Sequence, residues 1–165
     1  MTSLMNAENY RALMRHQAGA VTVIAAGTEG QRSGITATAF SSLSDDPPAI
    51  LACVRLKSSV YDLIRETRSF SVNILASDQQ NIAESFSGRT GQSGEDRFSG
   101  LSWSMLSTGA PVLDGALASL DCRLSDQHVF ATHSIFIGMV QDGRFRSEAQ
   151  PLLYFRNDYW DIGVR

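Results

Sequence analysis

Positive charge is scarce in this sequence: 14 lysines and arginines stand against 17 aspartates and glutamates, for a net charge of −3. Such a balance leaves no broad positive field, so neither nucleic acid nor an anionic membrane surface is an expected partner. Long apolar runs are also missing, and nothing approaches the roughly 18 consecutive apolar residues that a membrane-spanning helix needs. The opening segment MTSLMNAENYRALMRH lacks an apolar stretch of signal-peptide length, so export is not expected and a cytoplasmic location is. Cysteine is limited to Cys53 and Cys122, each in an apolar stretch. Two reduced, buried thiols fit this pattern best, although sequence alone leaves a disulfide between them open.

Several catalytic signatures are absent too. No G-x-G-x-x-G follows a strand-like run, and there is no phosphate-binding G-x-x-x-x-G-K-[ST], no C-x-x-C and no H-E-x-x-H. His16, His128 and His133 show no metal-ligand spacing with the cysteines, so no metal is expected. Gly91-Gln92-Ser93-Gly94 is not a nucleophile elbow.

What remains is an ordinary globular composition, 43% hydrophobic and 19% charged over 165 residues, which predicts one domain over 1–165 with a sizeable core. Asn6 can cap a short helix carrying Tyr10, Leu13, Met14 and Gln17 on one stripe. Residues 20–27 read as a strand, followed by a hairpin turn in which Gly30 takes positive φ. The next strand opens GITATAFSSLSDDPP, and 49–55 reads as a strand buried on both faces. Helices are expected over 57–69, capped by Ser59 with Asp62, and over 77–88, where Ser77 and Gln80 form a capping box and Gly88 ends the helix. Strand 70–76 lies between them, 89–111 reads as a long surface loop, and 115–124, 132–141 and 151–160 read as strands. Many strands with few helices predict an α+β domain or a β-barrel with attached helices, and fit a doubly wound sheet poorly.

Four stretches carry chemical signals. Gly34–Pro48 places five hydroxyl side chains (Thr36, Thr38, Ser41, Ser42, Ser44) among small apolar residues, which suits either a wet edge strand or a polar ligand edge. In CVRLKSSVYDLI a strand ends at Arg55 and Lys57, and two serines open a helix. Free N–H groups, hydroxyls and a lysine make a phosphate cradle, and an ordinary capped helix with a solvated lysine is the alternative. His133 heads a strand, either as a structural residue or as a site residue. In PLLYFR, strand alternation puts Tyr154 and Arg156 on one face.

In order along the chain, GITATAFSSLSDDPPAILACV, the SS before a helix, FSVNIL, DRFSGLSW, GAPVLDGALASLDCRL, HSIFIG and PLLYFR resemble the short-chain flavin reductases. These are the reductase components of two-component flavin monooxygenases. The resemblance runs from about Gly19 to Tyr159 and implies a mainly β fold with short helices, an FMN-binding split β-barrel. It implies an NAD(P)H:flavin oxidoreductase that uses FMN or FAD and NADH or NADPH, works as a homodimer and supplies a separate oxygenase. On the matching positions, Ile35, Thr36, Ala37 and Thr38 are expected to line the isoalloxazine ring, with Ser41 and Ser42 in the same loop. Cys53, Val54, Lys57, Ser58 and Ser59 are expected along the ribityl chain to the phosphate, with Arg97 and Phe98 near the phosphate end. His133, Tyr154 and, on the strand face just described, Arg156 are expected on the nicotinamide side.

No side chain is expected to act as acid or base, since hydride transfer from nicotinamide C4 to flavin N5 depends on stacking. Two departures alter the pattern: Arg55-Leu56 stand where many relatives have Asn-Arg, and Ala131-Thr132 where many have Gly-Asp. Two other functions compete: a reductase with tightly held FMN acting on another acceptor, such as a corrinoid cobalt centre, and a flavin-binding module without turnover.

Overall fold

The computed structural model describes residues 5–163, so the ends of the expected 1–165 domain lie outside the described residues. Asn6 caps α1 (Ala7–Met14), its Oδ1 accepting from Asn9 N–H at 2.8 Å. Strands β1 (Gly19–Ala20), β2 (Thr22–Ala26), β3 (Ser33–Ala37), β4 (Phe40–Asp45) and β5 (Pro48–Arg55) follow, then α2 (Ser59–Thr67) and β6 (Ser69–Ile74). A 3₁₀ turn at Ser77–Gln79 leads into α3 (Gln80–Phe86), and a second at Gly94–Phe98 precedes β7 (Trp103–Met105) and β8 (Pro111–Leu113). The chain ends with β9 (Ala118–Phe130), β10 (His133–Phe145), β11 (Leu153–Phe155) and β12 (Asp158–Trp160). No helix among the described residues is long and apolar enough to cross a membrane.

The main sheet has the order β3-β2-β6-β9-β10-β5-β4. Its two edge strands are joined only by Thr38 and Ala39. A flat sheet of this size would hold its edges about 29 Å apart at about 4.8 Å per strand gap. Three residue steps span at most about 11 Å. The sheet must therefore curl until its edges nearly meet. It becomes a barrel with an unpaired seam between β3 and β4, in agreement with the expected mainly β, split-barrel architecture.

Two cores follow from this curl. Ile24 and Ala26 of β2 point inward, to pack with Ile50, Ala52 and Val54 of β5, Phe70, Phe136 and the buried stripe of α2, Val60 and Ile64. Val23 and Ala25 point outward, under Ile82, Ala83 and Phe86 of α3 and under Phe98. At Gly34 of β3 an added Cβ would lie 2.9 Å from the Phe86 ring, so glycine is what lets α3 approach the strand.

Several elements differ from the sequence reading. The hydroxyl-rich stretch is two strands with different neighbours, because the chain crosses the seam at Thr38-Ala39. β5 buries only its Ile50, Ala52 and Val54 face fully and leaves Leu51 and Cys53 half-covered. Ser58, not Ser59, is the N-cap of α2, and it makes no capping bond through its side chain. The reach-back to Ala76 N–H comes from Gln79 Oε1 at 2.8 Å and not from Gln80. The stretch 89–111 contains a 3₁₀ turn and β7. Residues 151–160 form a hairpin, since Arg156 (φ 50°) and Asn157 (φ 66°) both adopt the left-handed region that a tight two-residue turn requires. Arg156 is therefore a turn residue and does not share a strand face with Tyr154. Both cysteines are free thiols, Cys53 half-buried and Cys122 buried.

Candidate functional site

A cleft of about 680 Å³ opens along the seam, within the 300–1,000 Å³ range of small-molecule sites. Ile35 to Ala39 form its floor, since this stretch leaves β3 and crosses to the other edge. The small side chains of Ala37 and Ala39 allow a flat ligand to approach the backbone. Cys53 and Arg55 share one face of β5, two residues apart, and line the opposite wall. Lys57, Ser58 and Ser59 close one end, where β5 turns into α2.

The two serines differ. Ser59 Oγ and Ser33 Oγ are 2.6 Å apart and bond to each other. Ser58 Oγ is buried and has no partner among the described residues. A buried hydroxyl without a partner is costly in an empty protein. Beside the unpaired N–H groups of a helix start and a lysine, it fits a phosphate.

Arg97 enters from the second 3₁₀ turn. Its guanidinium donates to Gln92 O (2.9 Å), Gly34 O (3.1 Å) and Phe86 O (3.2 Å). That turn is anchored by Glu95, which accepts from Arg32 N–H at 2.7 Å and from its Nε at 2.8 Å. Partial burial raises the Glu95 carboxyl, but the hydrogen bonds from Arg32 outweigh it and hold the group below its ordinary value. His133 stands at the head of β10, directly across from Arg55. Its Nδ1 lies 2.8 Å from Thr132 Oγ1.

A side recess of about 200 Å³ shares Thr36, Ala37, Thr38 and Ser87 with the cleft and is walled by Tyr154, Tyr159 and Arg89. The two tyrosine rings meet edge to face at 5.2 Å, and Arg89 donates to Tyr154 Oη at 3.3 Å.

The structure thus brings Ile35, Thr36, Ala37, Thr38, Cys53, Lys57, Ser58, Ser59, Arg97 and His133 around one cleft, with Tyr154 in the adjoining recess. Other expected residues lie elsewhere. Val54 points into the core, because it alternates with Cys53 on β5. Phe98 is 2% exposed, packed against Phe86 and Trp103 and covered by Arg32 at 4.6 Å. Ser41 lines a second recess that shares Thr38, Ala39 and Cys53 with the cleft and is walled by Met14 and Gln17, and Ser42 is exposed on the edge strand. Arg156, in its turn, packs its guanidinium 5.0 Å from the Phe155 ring and lines neither space.

The Thr36 hydroxyl donates to Ala83 O at 2.6 Å, so Thr38 is the threonine free to donate into the cleft. Sequence reasoning gave no site role to Arg55, Phe86 and Ser87 in the cleft or to Val21, Arg89 and Tyr159 in the recess. Only Arg55 carried a signal, as a basic residue at the strand end before the two serines.

Fold and site together define a split barrel whose seam cleft has a floor of small residues and is closed at one end by Lys57, Ser58 and a helix start. Residues 14–163 match the family described as flavin reductase like domain, and the chain belongs to that family. It is 40% identical over 150 residues to an FMN reductase (NADH), RutF, of Pseudomonas syringae pv. syringae strain B728a, covering 91% of this chain and 83% of that one. Among solved structures it resembles the flavin reductase PheA2, with a TM-score of 0.88 and 30% identity over 97% of this chain and all of that one. It also resembles BorF, the flavin reductase component of a bacterial two-component tryptophan halogenase, with the same TM-score, identity and coverage.

Proposed function

We propose that this chain is an NADH-dependent flavin reductase that takes FMN as acceptor and releases the reduced flavin to a separate oxygenase component. Its family and the named activities of its relatives support the reading. The observation that carries it is the cleft end, where the unpartnered Ser58 hydroxyl, the start of α2 and Lys57 face a floor of small residues.

Flavin, when bound, would supply the two-electron acceptor for hydride from the nicotinamide. The chain's own part is positioning and electrostatics. Ile35 to Ala39 support the ring, Thr38 donates to its polar edge, and Cys53 packs opposite. Lys57, Ser58 and the α2 N–H groups hold the phosphate, and Ser59 keeps that helix start in place through Ser33. Arg97 adds positive charge and ties the floor to α3. His133 and Tyr154 lie on the side that receives the nicotinamide dinucleotide. No residue is assigned as acid or base.

The protein forms a homodimer in this reading. Tyr10, Leu13 and Met14 on α1 are 56%, 59% and 45% exposed, an apolar stripe that a second copy can cover. Two free thiols suit the reducing cytoplasm, and residues 1–165 act as one unit.

The test is steady-state NADH oxidation with FMN, FAD and riboflavin, and the same series with NADPH. Flavin-dependent oxidation with rapid exchange of FMN supports the proposal. Flavin retained through gel filtration and reduced in place would move the protein to the fixed-cofactor class. Binding without NADH oxidation would make it a flavin-binding module.

A further inference from the structure

We infer that Arg55 and His133 form a second anion subsite, which holds the bridging phosphates of the nicotinamide dinucleotide while Lys57 and Ser58 hold the flavin phosphate. The inference rests on the functional reading above and adds a residue that selects the donor.

The cleft is far more positive than the chain. Arg55, Lys57, Arg97 and His133 all line it, no carboxylate does, and the whole sequence carries −3. Four arginines outside the cleft are ion-paired: Arg32 with Glu95, Arg65 with Asp62, Arg144 with Asp114 and Arg146 with Asp78. Arg55, Lys57 and Arg97 make no ion pair among the described residues. Unpaired cations gathered in a concave wall focus their field on an anionic ligand.

One phosphate does not account for them. The α2 end already offers a lysine, a buried hydroxyl and free N–H groups, enough for a monoester carrying a charge of about −1.5 to −2. Arg97 is oriented by three carbonyls and serves that end and the floor. Arg55 ends β5 on the Cys53 face, two residues before Lys57, and lines the cleft. Its cross-strand partner is His133, and side chains of such a pair lie close enough to grip one group together. Thr132 engages Nδ1 of that imidazole and leaves Nε2 available. A guanidinium beside an imidazole matches a pair of bridging phosphates, each with one negative charge, because the planar fork binds two oxygens at once.

The experiment uses Arg55→Gln and Arg55→Lys in the full chain. NAD⁺ is titrated calorimetrically into FMN-saturated protein. Affinities for FMN and riboflavin are measured alongside, and kcat/KM is compared for NADH and for reduced nicotinamide riboside, which has no phosphate. The expected result for Arg55→Gln is about tenfold weaker NAD⁺ binding and a tenfold fall in the NADH-to-riboside ratio of kcat/KM. FMN affinity should hold within threefold, and Arg55→Lys should recover part of the loss. Equal losses with both donors, weakened FMN with riboflavin unaffected, or no change would each overturn the subsite. Wild-type protein that oxidises neither donor rejects the functional reading instead, and the NAD⁺ titration then still decides the subsite by binding alone.

Discussion

Ser33 and Ser59 are bonded hydroxyl to hydroxyl at 2.6 Å, and this contact fastens the first turn of α2 to the floor strand β3. It leaves the neighbouring Ser58 hydroxyl as the free one of the pair, and it separates two serines that look equivalent in sequence.

Ser58→Ala should weaken FMN by about 1–3 kcal/mol, the scale of a hydrogen bond to a charged group, and leave riboflavin unchanged. Ser59→Ala should do the reverse, lowering the melting temperature because buried Ser33 loses its partner, with a smaller effect on FMN. Flavin fluorescence titrations and thermal melts on both variants check the pair. Equal losses of FMN and riboflavin with Ser58→Ala would show that this hydroxyl does not serve the phosphate.

His133→Ala should raise KM for NADH and lower kcat/KM by about ten- to a hundredfold, roughly 1.4–2.7 kcal/mol of positioning, with FMN affinity nearly constant. If His133 only finishes a strand, the variant melts earlier and keeps its kinetics. Both quantities are read on the same preparation.

Phe98→Ala should act on stability, not on binding. The ring is buried against Phe86 at 5.1 Å and Trp103 at 4.6 Å, so its removal costs about 3–5 kcal/mol. Urea unfolding measures the loss. FMN affinity under conditions where the variant stays folded should be within a few-fold of wild type.

The two thiols should behave oppositely. Burial, reinforced by the Asp121 charge, pushes the Cys122 thiol up to about 12 from a reference of 9.0. The folded state therefore holds this proton across that interval while the unfolded state releases it. Stability should be level below about pH 9 and fall as pH rises towards 12, by up to about 1.4 kcal/mol per pH unit from this group. Cys122→Ala should remove that slope, at some cost from the cavity. Iodoacetamide should label Cys53 alone in the native protein, and FMN should protect it. Labelling of Cys122 without denaturant would contradict its burial.

Sedimentation should give twice the 18.0 kDa chain mass at micromolar concentration. Leu13→Lys on the exposed stripe of α1 should shift the protein towards monomer without unfolding it, because α1 buries no residue within its own chain. A wild-type monomer at that concentration would rule out the dimer.

Most local elements were legible because their signals are local. Asn6 caps α1 as its side chain requires, Gly30 takes the positive φ of its turn, and Ser58-Ser59 open α2 after a strand. The hairpin of β11 and β12 was missed because its turn uses Arg156 and Asn157 without glycine, although asparagine tolerates the left-handed region and was a usable sign. Phe98 was misplaced because sequence adjacency to Arg97 says nothing about direction. One side chain faces the cleft while the next enters the outer core.

By itself the sequence determined most of the strands and helices, and it placed hydroxyls, a lysine and a helix start near one another along the chain. Alternation, capping and turn preferences act over a few residues and can be read there. Only the tertiary structure decided that Thr38 and Ala39 join the two edges of a seven-stranded sheet, and so that the sheet curls, leaves a seam and makes that seam the site. It likewise decided that Arg55 faces His133 across two strands far apart in sequence. Strand order depends on long-range pairing and on burying both faces of β2, and no local pattern encodes which edge a strand will occupy.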